Sequence, residues 1–232
     1  MTTRLAKLLI ASTVLATLSL TPACAGANNG SGPDQVAPTA QGSTILNGQL
    51  TFGAQWSTVT TNASHVAGDV VIQSQGAGNT FEAVTFDNTH VTSTQDDEST
   101  NIGSTVNANV NGVGGSVSIS GLAVCNSTDV STDPDVTAVN SKQTCHAQDP
   151  GSEVTADVRN VTGDVAVQST AYGNTYTEDT NALNAPTVLQ QTNTSNVFST
   201  ANVAVRNVGG SVGVTSSAVG NSTQVVHYST TP

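Results

Sequence analysis

Positive charge and large side chains are both scarce in this chain. Five Lys and Arg stand against sixteen Asp and Glu in 232 residues, a formal charge of −11, and aromatic residues make up only 3%. With the first 25 residues set aside, the basic side chains are Lys142, Arg159 and Arg206, which form no patch. Nucleic acids and anionic lipid surfaces are held by clustered Lys and Arg, so neither is an expected partner. The few Phe, Tyr, Trp and Met residues cannot fill the interior of an ordinary globular domain. Any core must be thin and built from Val, Ala, Gly and Ser, with main-chain hydrogen bonds supplying much of its regularity. Helical periodicity and long apolar runs are both missing beyond residue 25, so the mature chain is expected to lack a membrane-spanning helix.

Cysteine is limited to Cys24, Cys125 and Cys145, with no CxxC and no Cys/His ligand spacing. The first 25 residues have the layout of a secretory signal peptide: Arg4 and Lys7, an apolar run from Leu8 to Leu20, then Ala23-Cys24-Ala25 as a small-residue cleavage site. Ala25-Gly26-Ala27 is a second possible cut, and cleavage before Cys24 with lipid attachment is the rival, although Thr21 stands where a lipobox has a leucine-like residue. Cleavage after Ala25 leaves Cys125 and Cys145, and an even pair in an oxidising compartment implies a disulfide, here expected to staple an irregular loop. Residues 26–44 are rich in Gly, Asn, Ser, Pro and Ala and read as a flexible linker. Residues 45–232 form the repeat domain.

What is present is a phrase used four times. VAGDVVIQSQGAGNT begins at Val66, VGGSVSISGLAVCNS at Val113, VTGDVAVQSTAYGNT at Val161 and VGGSVGVTSSAVGNS at Val208, at spacings of 47, 48 and 47. A fixed period of this length marks one structural unit stacked on itself, a plan that makes long regular objects rather than a single cleft. Side chains alternate with a period of two, so the row Val117, Ile119, Gly121, Ala123, Cys125 and its counterparts face one side of a strand. The opposite row is polar and ends in Asn79, Asn126, Asn174 and Asn221. A second alternating stretch lies upstream, joined through a corner with Gly at one position in every copy: Gly68, Gly115, Gly163 and Gly210. Gly followed by Asp or Ser is a turn signal, because Gly adopts φ > 0 without steric cost.

Each unit therefore reads as strand, tight corner, strand and a variable polar segment, either wound as a solenoid or folded as antiparallel hairpins. The small tapering face and the recurrent Asn, which can hydrogen-bond as a ladder, favour stacking. The expected fold is all-β, a repetitive β-solenoid of four units of about 47 residues. The variable segments 81–104, 128–153 and 176–196 are expected to project on one face. The four Asn are candidates for stacking or self-assembly, with an internal ladder as the alternative role.

Chemistry is sought and mostly missing. His65, His90, His146 and His227 show no metal-ligand spacing, and no nucleophile elbow, P-loop or dinucleotide fingerprint is present. Asp96-Asp97-Glu98 is a conceivable acid–base pair or calcium site, but it lacks the spaced calcium-loop pattern and reads as a solvated acidic loop, as does Asp133-Pro134-Asp135. No catalytic residue, metal or cofactor is expected.

The elements Gln75-Gly76-Ala77-Gly78-Asn79, Ala171-Tyr172-Gly173-Asn174 and Ala218-Val219-Gly220-Asn221 resemble the Gly-Asn turns of curlin-type fibre subunits. Together with the secretory signal, the long unit and the low aromatic content, they make the chain similar to the holdfast-anchoring proteins of stalked bacteria (the HfaD type) over residues 66–222. The resemblance implies a secreted protein at the bacterial surface, associated with the outer membrane. Its implied partners are a holdfast or other extracellular polysaccharide, a curlin-like fibre protein and an outer-membrane secretion factor. Curlin units are shorter and carry Gln and Asn at both ends, whereas here most copies lack the second Gln and Cys125 replaces a Gly. The alternatives are a self-assembling curlin-like subunit and a polysaccharide-binding or polysaccharide-cleaving β-helix protein that uses Asp96, Asp97 or Glu98.

Overall fold

The computed structural model describes residues 43–85, 89–132, 137–181 and 185–228. The signal segment, Cys24, most of the linker, Asp133 and Asp135 lie outside the described residues. Twelve strands follow one another: β1 (Ser43–Thr51), β2 (Ala54–Val66), β3 (Val70–Thr85), β4 (Thr89–Asp97), β5 (Asn101–Val113), β6 (Val117–Thr132), β7 (Thr137–Cys145), β8 (Gly151–Val161), β9 (Val165–Thr180), β10 (Thr187–Asn193), β11 (Phe198–Val208) and β12 (Val212–His227). They form three four-stranded sheets, β1-β4-β7-β10, β2-β5-β8-β11 and β3-β6-β9-β12. Every pairing is parallel and in register, as in Val70↔Val117↔Val165↔Val212. Parallel pairing between strands one repeat apart excludes the hairpin alternative: the chain winds as a β-solenoid of four coils, each made of three consecutive strands.

The first strands of the second, third and fourth coils, β4, β7 and β10, lie inside what the sequence marks as the variable segments, whose described residues are therefore mostly wall rather than projecting loops. β4, β7 and β10 alternate small polar residues with Val and Leu, as in Val91-Thr92-Ser93-Thr94-Gln95, and Ser93 and Gln95 point inward. β1 begins at Ser43, two residues before the linker boundary set by composition.

The strands of the third sheet bend. In β3 the buried positions are 70, 72, 74 and 76, and then 79, 83 and 85, so the inward phase reverses at Ala77-Gly78. The register is likewise interrupted between Ala77↔Val124 and Asn79↔Asn126. One extra residue of this kind turns a strand and re-aims its side chains. Asn79 and its counterparts consequently lie on the interior face and not in the polar outer row.

The core is a flat seam between the bent third sheet and the other two. One end is aliphatic, with Val106, Val110, Val154, Val158, Val117 and Ile119 at 0–1% exposure. Each fully buried Val contributes about 1.5–3 kcal/mol. The middle holds small groups (Ala123, Ala171, Cys125, Cys145) around Ile102, and the far end gathers Val91, Val130, Val139 and Tyr176. β-branched residues suit these strands because their stiff side chains pack on a pleated surface.

Candidate functional site: side-chain ladders and coil ends

Four Asn side chains form one continuous ladder. Asn79 Nδ2 donates to Asn126 Oδ1, Asn126 to Asn174 and Asn174 to Asn221, each at 2.8 Å. The second amide proton goes to a main-chain carbonyl of the following coil: Asp96, Thr144 and Thr192, again at 2.8 Å. Asn126 and Asn174 are fully buried, and such groups are tolerated only when both donors and the acceptor are used. At the N-terminal end Thr51 Oγ1 donates to Asn79 Oδ1 at 2.6 Å. At the other end Asn221 is exposed, and its amide nitrogen has no partner among the described residues.

A second ladder escaped the sequence reading. Gln95 Nε2 donates to Gln49 Oε1 at 2.9 Å, Gln143 to Gln95 at 3.0 Å and Gln191 to Gln143 at 2.8 Å. Each Gln also donates to a carbonyl of the third sheet: Thr80, Ser127, Thr175 and Ser222. These Gln sit on the first strand of each coil. The recurrence of Gln at spacings of 46, 48 and 48 was the available signal. Gln donors point towards the N-terminal coil and Asn donors towards the C-terminal one.

The corner glycines stack as well. Gly115 N donates to Gly68 O, Gly163 to Gly115 and Gly210 to Gly163. Their φ is not positive: the left-handed residues are His65 (56°), Gly112 (72°), Asn160 (55°) and Asn207 (55°), three positions earlier in each coil. The expectation that Gly68, Gly115, Gly163 and Gly210 provide φ > 0 is therefore corrected. Gly is required because coils pack tightly here: a Cβ on Gly115 would lie 2.8 Å from the Gly68 carbonyl carbon, and one on Gly163 2.8 Å from Gly115. The following residue completes the corner, since Asp69 Oδ1 accepts from Ser116 N, Ser116 Oγ from Asp164 N and Asp164 Oδ1 from Ser211 N. Gly163→Ala is expected to cost about 1–3 kcal/mol, as overpacking does. Gly68→Ala, with nothing within 4 Å of its Cβ, is expected to be neutral; urea titration of both variants checks this.

Cys125 and Cys145 are joined, with Cα atoms 6.0 Å apart and neither residue exposed. The bond crosses the seam from β6 to β7 and so ties the second coil to the third, instead of stapling a surface loop. The same place is solved differently elsewhere: Gly78 makes room for Asp97, and Gly173 for Asn193.

Asp96 and Asp97 of the acidic run lie on β4 and not in a solvated loop, and Asp97 is the more buried of the two. Asp97 is fully buried, Oδ1 accepts from Ser99 N at 2.9 Å and Oδ2 has no partner among the described residues. A solvated loop is thus the wrong description for this residue. Burial raises its carboxyl above the ordinary 3.8; Ser99 opposes the shift and Asp96 adds to it. A raised carboxyl pKa means that the folded state holds the proton more tightly than the unfolded chain. Its contribution to stability is full below about pH 3.8 and declines as pH rises through the folded value. Asp97→Asn, which copies Asn193 of the last coil, is expected to raise the melting temperature at pH 7 and to flatten the pH dependence from 3.5 upward. An unchanged pH profile would show that Asp97 carries none of it.

The remaining titratable groups do not converge. Among the described residues no cluster of three or more His, Cys, Asp or Glu gathers as metal ligands. Glu178, buried, accepts from Tyr176 Oη at 2.7 Å and from Thr187 Oγ1 at 2.8 Å, a closed internal cluster. Burial and this neighbour push the Tyr176 phenol up. On the outer face of the second sheet, Asp157 pairs with Arg159, whose guanidinium lowers its carboxyl pKa. Trp56 and Phe198 lie on one outward rank, Trp56↔Gly103↔Gly151↔Phe198, each ring folded over the adjacent Gly. No described helix is long and apolar enough to cross a membrane.

Among the described residues nothing covers the outer edge of the last coil. Val212 and Val214 are 49% and 47% exposed, whereas Val165 and Val167 beneath them are 1% and 2%. At the first coil Val59 and Ala63 are half-buried, while Val106 and Val110 above them are fully covered. Comparison with protein-family models, curated proteins and solved structures finds no match for this chain.

Proposed function

We propose that this chain is a secreted structural protein that holds an extracellular polysaccharide or a curlin-like fibre at the bacterial outer membrane. The observation that carries this reading is the pair of amide ladders, which runs through all four coils and reaches an open edge. A fibre built of parallel β-coils can be continued on such an edge, with its hydrogen bonds and side-chain columns in phase. The curlin resemblance rests on the Gly-Asn turns, and the Gln ladder sets a second amide column beside the Asn column those turns supply. A disulfide across the seam suits service outside the cell, where such bonds persist.

The test is deletion of the gene in the source bacterium followed by fractionation. Adhesive material is expected in the medium, its synthesis intact, and the protein itself in the envelope fraction of the parent. Unchanged attachment in the deletion strain would sink the proposal.

A further inference from the structure

We propose that the open edge of the last coil, β10–β12, receives the first coil of a second copy of this chain, head to tail and in register. This goes beyond anchoring and stands apart from it: purified chains can stack without any surface partner, and a chain that anchors without stacking fails only here.

The hydrogen-bonding ends are complementary. Among the described residues the Asn221 amide protons have no acceptor, and Gln191 Oε1 accepts only from Thr223 Oγ1 at 3.0 Å. The first coil offers Asn79 Oδ1, which has a second lone pair beside the bond from Thr51, and Gln49 Nε2, which has a second proton beside the bond to Thr80. Translation by one coil sets Asn221 against Asn79 and Gln191 against Gln49, so each ladder continues in its own direction. The main chain agrees. Val70, Val117 and Val165 each donate N–H to the coil that follows them, through Ser116 O, Asp164 O and Ser211 O. The equivalent N–H of Val212 points out of the last coil.

Charge is in phase too. The corner column reads Asp69, Ser116, Asp164, Ser211, so every carboxylate is flanked by Ser within the chain. An even number of coils carries that alternation across the junction, with Asp69 of the next copy resting on Ser211. Carboxylates then stay two coils apart, about 9–10 Å at ordinary strand spacing. Placing the last coil against another last coil would break the parallel pairing and the alternation together.

Gly68 supplies an independent argument. Its three counterparts are Gly because the preceding coil meets their Cβ position, yet among the described residues nothing lies within 4 Å of the same point on Gly68. Its φ is not positive, so conformation does not demand Gly there either. Stacking explains it: Gly210 of the preceding copy would lie against Gly68 as Gly68 lies against Gly115.

The test is site-directed cross-linking in the full chain. Gln73, Ser120, Gln168 and Thr215 form one outward column, so stacking sets Thr215 beside Gln73 of the next copy. Their Cα atoms would be about 5 Å apart, within disulfide reach, whereas Thr215 and Gln75 would be about 8 Å apart and out of reach. Within one chain these positions are three coils apart, so only bonds between copies can form. Under mild oxidation T215C/Q73C is expected to give a ladder of covalent multimers at least tenfold more abundant than T215C/Q75C. Adding Gly68→Val is expected to abolish that ladder while leaving the melting temperature of the monomer unchanged. Equal yields from the two Cys pairs, or undiminished multimers with Gly68→Val, would overturn the inference. So would a lowered monomer melting temperature for Gly68→Val, since it would show that the chain itself already fills this space.

Discussion

Asn126→Ala is expected to lower the free energy of unfolding by about 3–5 kcal/mol, the largest effect of any single substitution in the amide ladders. The side chain is fully buried, accepts from Asn79 and donates to both Asn174 and Thr144 O. Its removal leaves the Asn174 side-chain carbonyl without its donor and one Asn79 amide proton without its acceptor, and unsatisfied buried groups cost about 1–3 kcal/mol each. Asn221→Ala removes one bond at an exposed end and is expected to cost less than about 1 kcal/mol. Asn126→Asp sharpens the point. A carboxylate cannot donate to Asn174 or Thr144, so this variant is expected to be destabilised at pH 7 and to recover part of the loss in acid, where the carboxyl can donate. Denaturant titrations of the three variants check this. Equal losses for Asn126→Ala and Asn221→Ala would show that the ladder is not what holds the seam.

Breaking the Cys125–Cys145 bond is expected to cost about 3 kcal/mol, the chain-entropy value for a loop of this length. A neighbouring coil supplies a control for packing. The third and fourth coils meet at the equivalent place through Gly173 and Asn193, without sulfur. Cys125→Gly with Cys145→Asn transplants that solution, whereas Cys125→Ser with Cys145→Ser only removes the bond. Both are expected to unfold at lower denaturant than the parent, and the Gly/Asn pair is expected to be the more stable of the two. If the Ser pair unfolded with the parent, the covalent link would contribute nothing to joining the second and third coils. Solenoid stability is a sum of coil terms and nearest-neighbour contacts, so a weakness confined to this junction is expected to broaden the transition as well as move it.

The phrase repeated at 66, 113, 161 and 208 was enough to show stacked β-units, because a Val-rich strand with period two declares its buried face within a few residues. The Asn and corner Gly positions it marks form hydrogen-bonded columns from coil to coil. The first strand of each coil was hidden. Its inward residues include Asn47, Ser93, Gln95, Ser141 and Gln143, which look like a soluble surface until their partners are known, and those partners lie some 46 to 48 residues away. Alternation carried straight through Ala77-Gly78 puts Asn79 in the outer row, but the strand reverses phase there. In the sequence the corner Gly reads as a conformational need, whereas at Gly115, Gly163 and Gly210 the cause is the coil beneath, and Asp97 reads as a solvated acid because Gly78 makes room for it only after the chain has wound.

By itself, then, the sequence determined the period, the strand character and the thinness of the interior. Each follows from side-chain size and alternation between near neighbours, which act before any long-range contact exists. Only the wound structure decided which polar groups are interior, which coils the disulfide joins and which edge remains open. Those properties belong to the register between residues a full coil apart, where an amide that is costly alone becomes favourable once another amide stands about 4.8 Å above it.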